Sequence, residues 1–307
     1  MAHVVRFRRN SQTEFAKAFR PLSERHKPWQ VWADFVNAAA IAMAAQFDPP
    51  DTEKYKERER EYFRIMKQYD EKERMVFPQL LLMMMQALEE EPEQDFLGEM
   101  FMMLELSNHW KGQFFTPYDV CRMMAEMTMQ DAAAHIERKG WVGIYDPACG
   151  AGATLIAARN YLQRNPCGKL LGHQQTLFVA QDIDRTAALM CYLQLSMLGC
   201  AGYVIVGNTI TNPGVGLGGS PLLPLEKEGQ DYWCMPLFHD QIWVWRQAFA
   251  RLEFLTGSAA ALPISDPPTE KPAAQSVTED ATATLEQAGD PEPVKLNATA
   301  TGQLTLF

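Results

Sequence analysis

The sequence predicts an α/β fold, an open sheet whose strand ends hold a nucleoside-like ligand. Three observations predict it. Residues 141–154, WVGIYDPACGAGAT, read as strand, tight glycine turn and helix start. A second apolar run, 176–181, ends in Asp182-Ile183-Asp184. A third, 203–206, ends in Gly207-Asn208-Thr209. Polar residues thus close three successive strands, the place where open α/β sheets bind ligands.

In chain order, residues 1–28 are read as a basic N-terminal arm, with Arg6, Arg8 and Arg9 around Phe7. Residues 29–110 read as a helical domain. Over 29–47 the apolar residues Val31, Trp32, Phe35, Val36, Ala39, Ala40 and Met43 recur at helical spacing, and Pro49-Pro50 ends the run. A charged helix is predicted over 51–75, with Tyr55, Tyr62, Ile65, Met66 and Tyr69 on one stripe, and further helices over 77–88 and 95–106. The methionines of this region (Met83, Met84, Met85, Met100, Met102, Met103) are read as core filling.

A binding domain is placed over 111–256. It opens on GQFFTP, in which Thr116 stands at an N-cap and Pro117 at the first position of a helix over 118–129. In the glycine turn, Gly150 and Gly152 allow backbone amides to approach a ligand with no Cβ in the way. Asp146 sets a carboxylate at the mouth of its strand. A helix follows over 153–162, then a polar loop over 163–175. Asp182, ending the second strand, is placed to accept hydrogen bonds from ribose hydroxyls. Later come a helix over 185–198, a Gly/Pro-rich loop over 212–224, a fourth strand over 231–234 and a helix over 241–255. From 257 to 302 Ala, Pro, Thr, Ser and acidic residues dominate; such a segment cannot offset its chain entropy by burial and is expected to be a disordered linker. It leads to an apolar peptide, QLTLF, at 303–307.

Composition narrows the function. With 307 residues the chain can bury a substantial core, and 47% apolar with 21% charged residues is ordinary for a soluble protein. A net charge of −10 argues against coating nucleic acid by bulk electrostatics. Six scattered cysteines form no C-x-x-C pair, so reduced thiols and no metal site are expected. The N-terminus has no apolar h-region, and the longest apolar run, 80–85, is too short for a bilayer. The expectation is a soluble intracellular protein.

GQFFTP, DPACGAGAT, AQDID and the helix-strand-GNT that follows resemble, in order, the N6-adenine DNA methyltransferases, most closely the modification subunits of type I restriction systems. The resemblance implies a class I S-adenosylmethionine-dependent methyltransferase (Rossmann-like) core. It also implies that Phe115, Thr116 and Pro117 lie over the methionine end of S-adenosylmethionine. Asp146 and the turn carrying Ala148, Gly150, Ala151 and Gly152 would hold its amino-acid portion. Asp182 would take the ribose hydroxyls, Ile183 would lie against the adenine, and Asn208 would accept from the adenine amino group. The family holds its flipped target adenine with an Asn/Asp-Pro-Pro-aromatic tetrad after the fourth strand. This sequence contains no such tetrad. The nearest candidate is a degenerate form, Met235-Pro236-Leu237-Phe238, in which Pro236 and Phe238 keep part of the base-holding role and Met235 replaces the acceptor. No strand is predicted beyond 241–255, so the sheet is either truncated or completed by another chain.

QLTLF resembles the peptide by which bacterial polymerases and repair proteins dock on the replication sliding clamp. That resemblance implies that Gln303, Leu304, Leu306 and Phe307 fill a clamp pocket and that DNA and the clamp are partners, beside a specificity or completing subunit. The setting implied is the bacterial cytoplasm at the nucleoid, with a bacterial, phage or mobile-element origin and no membrane association. Three readings stay open: an active DNA adenine methyltransferase, a catalytically inactive binding protein of that family, and one subunit of a larger methyltransferase.

Overall fold

The computed structural model describes residues 9–104, 106, 115–166, 172–257 and 303–305, the last three as backbone. Its first helix, α1 (Asn10–Arg25), occupies most of the segment read as an arm. Phe15, Phe19 and Leu22 recur at helical spacing and are all buried. The Phe15 ring meets Trp32, Phe35 and Phe96 edge-on at 6.1, 5.8 and 5.5 Å. The basic residues of this stretch had masked its apolar stripe.

Helix α2 (Pro28–Ala44) is apolar on nearly every side and runs through the interior, as such helices do. Helix α3 (Glu53–Met66) is followed by the single turn α4 (Glu71–Arg74), so the helix predicted over 51–75 is broken. The break has a local cause. Asp70 accepts from the Glu73 amide at 2.9 Å while Glu73 accepts from the Asp70 amide at 2.8 Å, a reciprocal capping box that starts a new helix. Helices α5 (Val76–Glu90), α6 (Phe96–Met103), α7 (Tyr118–Thr128) and α8 (Ala132–Lys139) complete the first half. Helix α8 was not predicted. It ends on Gly140, whose φ of +77° closes it and turns the chain into the sheet.

Strands β1 (Val142–Asp146), β2 (Thr176–Asp182) and β3 (Ala201–Val206) are parallel neighbours. Their crossovers are α9 (Ala153–Arg164), the short α10 (Gly172–Gln175) within the predicted loop, and α11 (Arg185–Met197). Strand β4 (Asp231–Cys234) lies antiparallel outside β3, pairing Val206 with Asp231 and Tyr203 with Cys234. Helix α12 (Gln241–Thr256) follows. Strand β5 (Gln303–Thr305) lies parallel on the other side of β1, giving the order β4-β3-β2-β1-β5. This mixed α/β architecture is the fold class the sequence predicted.

One continuous apolar cluster joins α1, α2, α5, α6, α7, α9 and α11 to a face of the sheet. The helical region and the sheet therefore share a core. Where α2 meets α11, the Trp32 indole N–H points at the Met190 sulfur at 3.3 Å. On the opposite face, Leu177, Val179, Tyr203 and Ile205 pack with Phe238 and Trp243 beneath α12. Most of α12 faces outward, with Trp245, Phe249 and Leu252 each more than half exposed.

The outer edge of β4 is covered by α3. Arg58 donates to the Tyr232 carbonyl at 2.9 Å and lies 3.6 Å from the Trp233 ring centroid, and Lys54 reaches Asp231 at 3.3 Å. Charged groups laid over an edge strand prevent it from pairing with other chains.

Candidate cofactor cleft

The site forms where β1 and β2 end. Asp146, the last residue of β1, is 1% exposed. Its carboxylate accepts from the Ala148 amide at 3.0 Å and from the Thr154 hydroxyl at the start of α9. Burial pushes its carboxyl above the usual range; the bonds from Thr154 and Ala148 oppose this, and the nearby Asp182 charge adds to it. Asp146 is thereby a fixed acceptor that shapes the turn.

Both glycines of the turn have positive φ. Gly150 (φ +52°) passes so close to the Phe115 ring that a Cβ there would meet it at 3.0 Å. Gly152 (φ +98°) opens α9, and a Cβ there would meet the Cys191 sulfur at 2.9 Å. Asp182 closes β2 and bridges the two loops. One oxygen accepts from the Gly150 amide and the other from the Asp184 amide, both at 2.9 Å. A carboxylate offers about four lone-pair sites. Two backbone bonds orient it and leave acceptor capacity toward the cleft.

Phe115, Thr116, Asp146, Ala148, Gly150, Ala151 and Asp182 line one cleft of about 650 Å³, counted out to its open mouth. Pro117, Gly152, Ile183 and Asn208 lie outside this lining. Ile183, next to Asp182, is 68% exposed, an apolar side chain left uncovered at a strand end. The Asn208 side-chain oxygen accepts from the Ile210 amide at 2.9 Å and from the Thr211 amide at 3.3 Å. Both its lone pairs are taken by its own turn, so it is not free to accept from a ligand amino group as expected.

Three contributors escaped the sequence reading. Asp95 lines the cleft although it belongs to the helical region, where it caps α6 through the Gly98 amide at 2.9 Å. It is fully enclosed, and burial pushes its carboxyl up to about 6 against the hydrogen bonds from Gln194 and Gly98, with the Glu99 charge adding to the rise. Gln194 donates both to Asp95 at 2.7 Å and to the Ala151 carbonyl at 2.9 Å, tying that carboxyl to the glycine turn. Gln181, completely buried, accepts from the Tyr145 hydroxyl at 3.1 Å and the Gly214 amide at 2.8 Å, and donates to the Asn212 carbonyl at 3.0 Å. It fastens the loop after β3 to β1 and β2. The legible signal was a polar residue inside an apolar strand.

The expected tetrad is not at the cleft. Because β4 runs antiparallel, the chain leaves it beside the beginning of β3, where the Met235 amide donates to the Gly202 carbonyl at 2.9 Å. The cleft opens at the other end of the parallel strands. At about 3.3 Å per residue, the length of β3 alone separates the two by more than ~13 Å. Met235 and Phe238 are buried in the cores on opposite faces of the sheet, and Pro236 begins a short 3-10 turn between them. Met235, Pro236 and Phe238 are core and turn residues, not base-holding ones. Of the four clamp-peptide residues, Gln303 and Leu304 lie in β5, while Leu306 and Phe307 lie outside the described residues.

No group of three or more His, Cys, Asp or Glu side chains is placed to hold a metal ion among the described residues. No helix among them is long and apolar enough to cross a membrane.

A sheet parallel except at β4, a glycine turn between strand and helix, and acidic residues at successive strand ends define a class I methyltransferase-like protein. Residues 93–232 match the family model described as N-6 DNA Methylase, so this segment is similar to the N6-adenine DNA methyltransferases. The match begins just ahead of Asp95 and ends within β4, so it contains every residue lining the cleft. No curated protein matches the chain in sequence.

Proposed function

We propose that the cleft binds S-adenosylmethionine and that the chain acts in the N6 methylation of adenine in DNA. The observation that carries the cofactor reading is the paired fixing of Asp182 by the Gly150 and Asp184 amides. A carboxylate held in this way at the end of the second strand is suited to two adjacent ribose hydroxyls. The glycine turn supports the reading, since a side chain at Gly150 would strike Phe115. Exposed Ile183 supplies an apolar surface for an adenine ring, and Asn208, its oxygen engaged, offers its Nδ2 donor to a ring nitrogen. Asp95 stands where a carboxylate can face the cofactor's ammonium group. The bound cofactor supplies an activated methyl on sulfur; the chain's part is to bind and orient it. Calorimetry with S-adenosylmethionine tests this: binding that Asp182→Ala weakens is expected, and binding indifferent to that change removes the reading.

A second reading concerns the missing tetrad. In doubly wound sheets the fourth strand lies beside the first, on the side away from the second. Here that position is held by β5 and the chain's own β4 is at the opposite edge. This placement favours a subunit whose base-holding segment comes from another chain, over an enzyme complete in itself. The outward apolar face of α12 suits such a partner. Methyl incorporation into DNA, measured for the chain alone and with a candidate specificity or modification partner, decides between them; full activity of the chain alone overturns the second reading.

The C-terminal peptide is proposed to tether the protein to a bacterial sliding clamp. Deletion of 303–307 should abolish retention on immobilised clamp. Unchanged retention sinks that proposal.

A further inference from the structure

We infer that the outer edge of β1 is a strand-acceptor surface and that the chain's own C-terminal segment is its resident occupant, paired in cis. The two edges of the sheet are treated differently. Along β4, Arg58, Lys54 and Arg185 place charge over the backbone and over Asp231, so that edge is closed by side chains. Among the described residues strand β1, with the sequence VGIYD, has no such guard: Val142, Gly143 and Ile144 are buried, and the run carries no proline or cation. An unguarded strand edge presents a row of backbone donors and acceptors that another extended segment can complete.

The occupant is identified by register. Gly143 stands opposite Gln303, Ile144 opposite Leu304 and Tyr145 opposite Thr305, all in parallel sense. Gln-Leu-Thr contains neither proline nor charge, so nothing in it opposes pairing. The 45 residues between Gly257 and Gln303 have a contour length of about 150 Å, so the end of α12 can be connected to this edge in one molecule. A tether of such length keeps the segment at an effective concentration on the order of millimolar.

Pairing of only three residues makes the strand displaceable. It nevertheless occupies the place beside β1 that a doubly wound sheet reserves for its fourth strand, next to Asp146 at the cleft. While β5 is paired, no other chain can add a strand there. Release of the segment opens the edge to a segment from a second protein. The C-terminal peptide then governs access to the side of the cleft on which a base-holding element would have to enter.

Amide hydrogen exchange on the full chain tests this without reference to methylation. Two variants are compared with it: deletion of 303–307, and the double change Leu304→Pro and Thr305→Pro, which keeps the chain length but removes two backbone donors. At least one amide among Gly143, Ile144 and Tyr145 should exchange at least tenfold faster in both variants, with β2 and β3 amides unchanged as the control for folding. A synthetic peptide of residues 301–307 added to the deletion variant should restore protection. Equal exchange of the β1 amides in all three proteins overturns the inference. Protection in the full chain that rises with protein concentration would overturn pairing in cis and assign the strand to a second copy.

Discussion

The backbone N–H of Gly150 donates to the carboxylate of Asp182 across 2.9 Å, joining the turn after the first strand to the end of the second. Neither residue is near the other in sequence, and each depends on the other: the glycine conformation presents the amide, and the acid satisfies it. Asp182→Ala would leave the Gly150 and Asp184 amides without their acceptor in the empty protein. Hydrogen bonds to charged groups are worth about 1.5–3 kcal/mol, so S-adenosylmethionine affinity should fall roughly 10- to 100-fold. Asp182→Asn keeps one acceptor oxygen and should lose less. Titration calorimetry on both variants measures the difference.

Gly152 is held at φ +98° with Cys191 beneath it. Gly152→Ala adds both backbone strain and a clash, and should destabilise the fold by about 1–3 kcal/mol. Gly140 is a suitable comparison, because its φ is +77° but the nearest atom to an added Cβ is 3.7 Å away. Gly140→Ala should therefore cost less. Urea midpoints of the two variants at constant m-value give the ordering.

The Asp95 carboxyl is raised to about 6 in the folded protein. Its ordinary value is about 3.9. Between those values the folded state keeps a proton that the unfolded state has released. Its contribution to stability is therefore largest below pH ~4, declines as pH rises to about 6, and is flat above. Two pKa units correspond to about 3 kcal/mol. Asp95→Asn should remove that part of the decline, so the gap in urea stability between variant and parent should change across pH 4–6 and stay constant above. A parallel pH profile for the two proteins would contradict this.

Met235 is completely buried and lies at the end of the sheet away from the cleft. Replacing it with the acceptor residue of the family's tetrad should not create or raise methylation. Met235→Asn should instead destabilise the protein by about 2–4 kcal/mol, the cost of burying an amide without partners. Thermal melting together with methyl incorporation into DNA checks both halves.

Residues 303–305 cannot pair with β1 and fill a clamp pocket at once. If the clamp proposal holds, adding excess clamp to the full chain should raise exchange of the Gly143–Tyr145 amides to the level of the chain lacking 303–307. Retained protection in a complex shown to form would mean that the clamp is contacted elsewhere.

What the sequence by itself determined is local. The strand-turn-helix at 141–154, the acids closing β1 and β2, and the helix from Tyr118 were legible because each is written within a dozen residues, through periodicity and glycine. The cap expected of Thr116 is not formed, since Pro117 stands at the N-cap and no side chain caps the helix. The apolar stripe of α1 was equally local, but the basic residues between Phe15 and Leu22 hid it. Tertiary structure alone decided which strand lies beside which. Periodicity identifies β4 as a strand but carries no information on direction. Its antiparallel pairing with β3 sends Met235, Pro236 and Phe238 away from the cleft, although their spacing suggested a tetrad. Asp95 reaches the cleft only because α6 packs on α11, where Gln194 receives it. The short run Gln303–Thr305 reads as a free peptide until an unguarded edge of β1 is present to pair with it. Strand pairing and shared burial join residues tens to more than a hundred positions apart, and no local pattern encodes them.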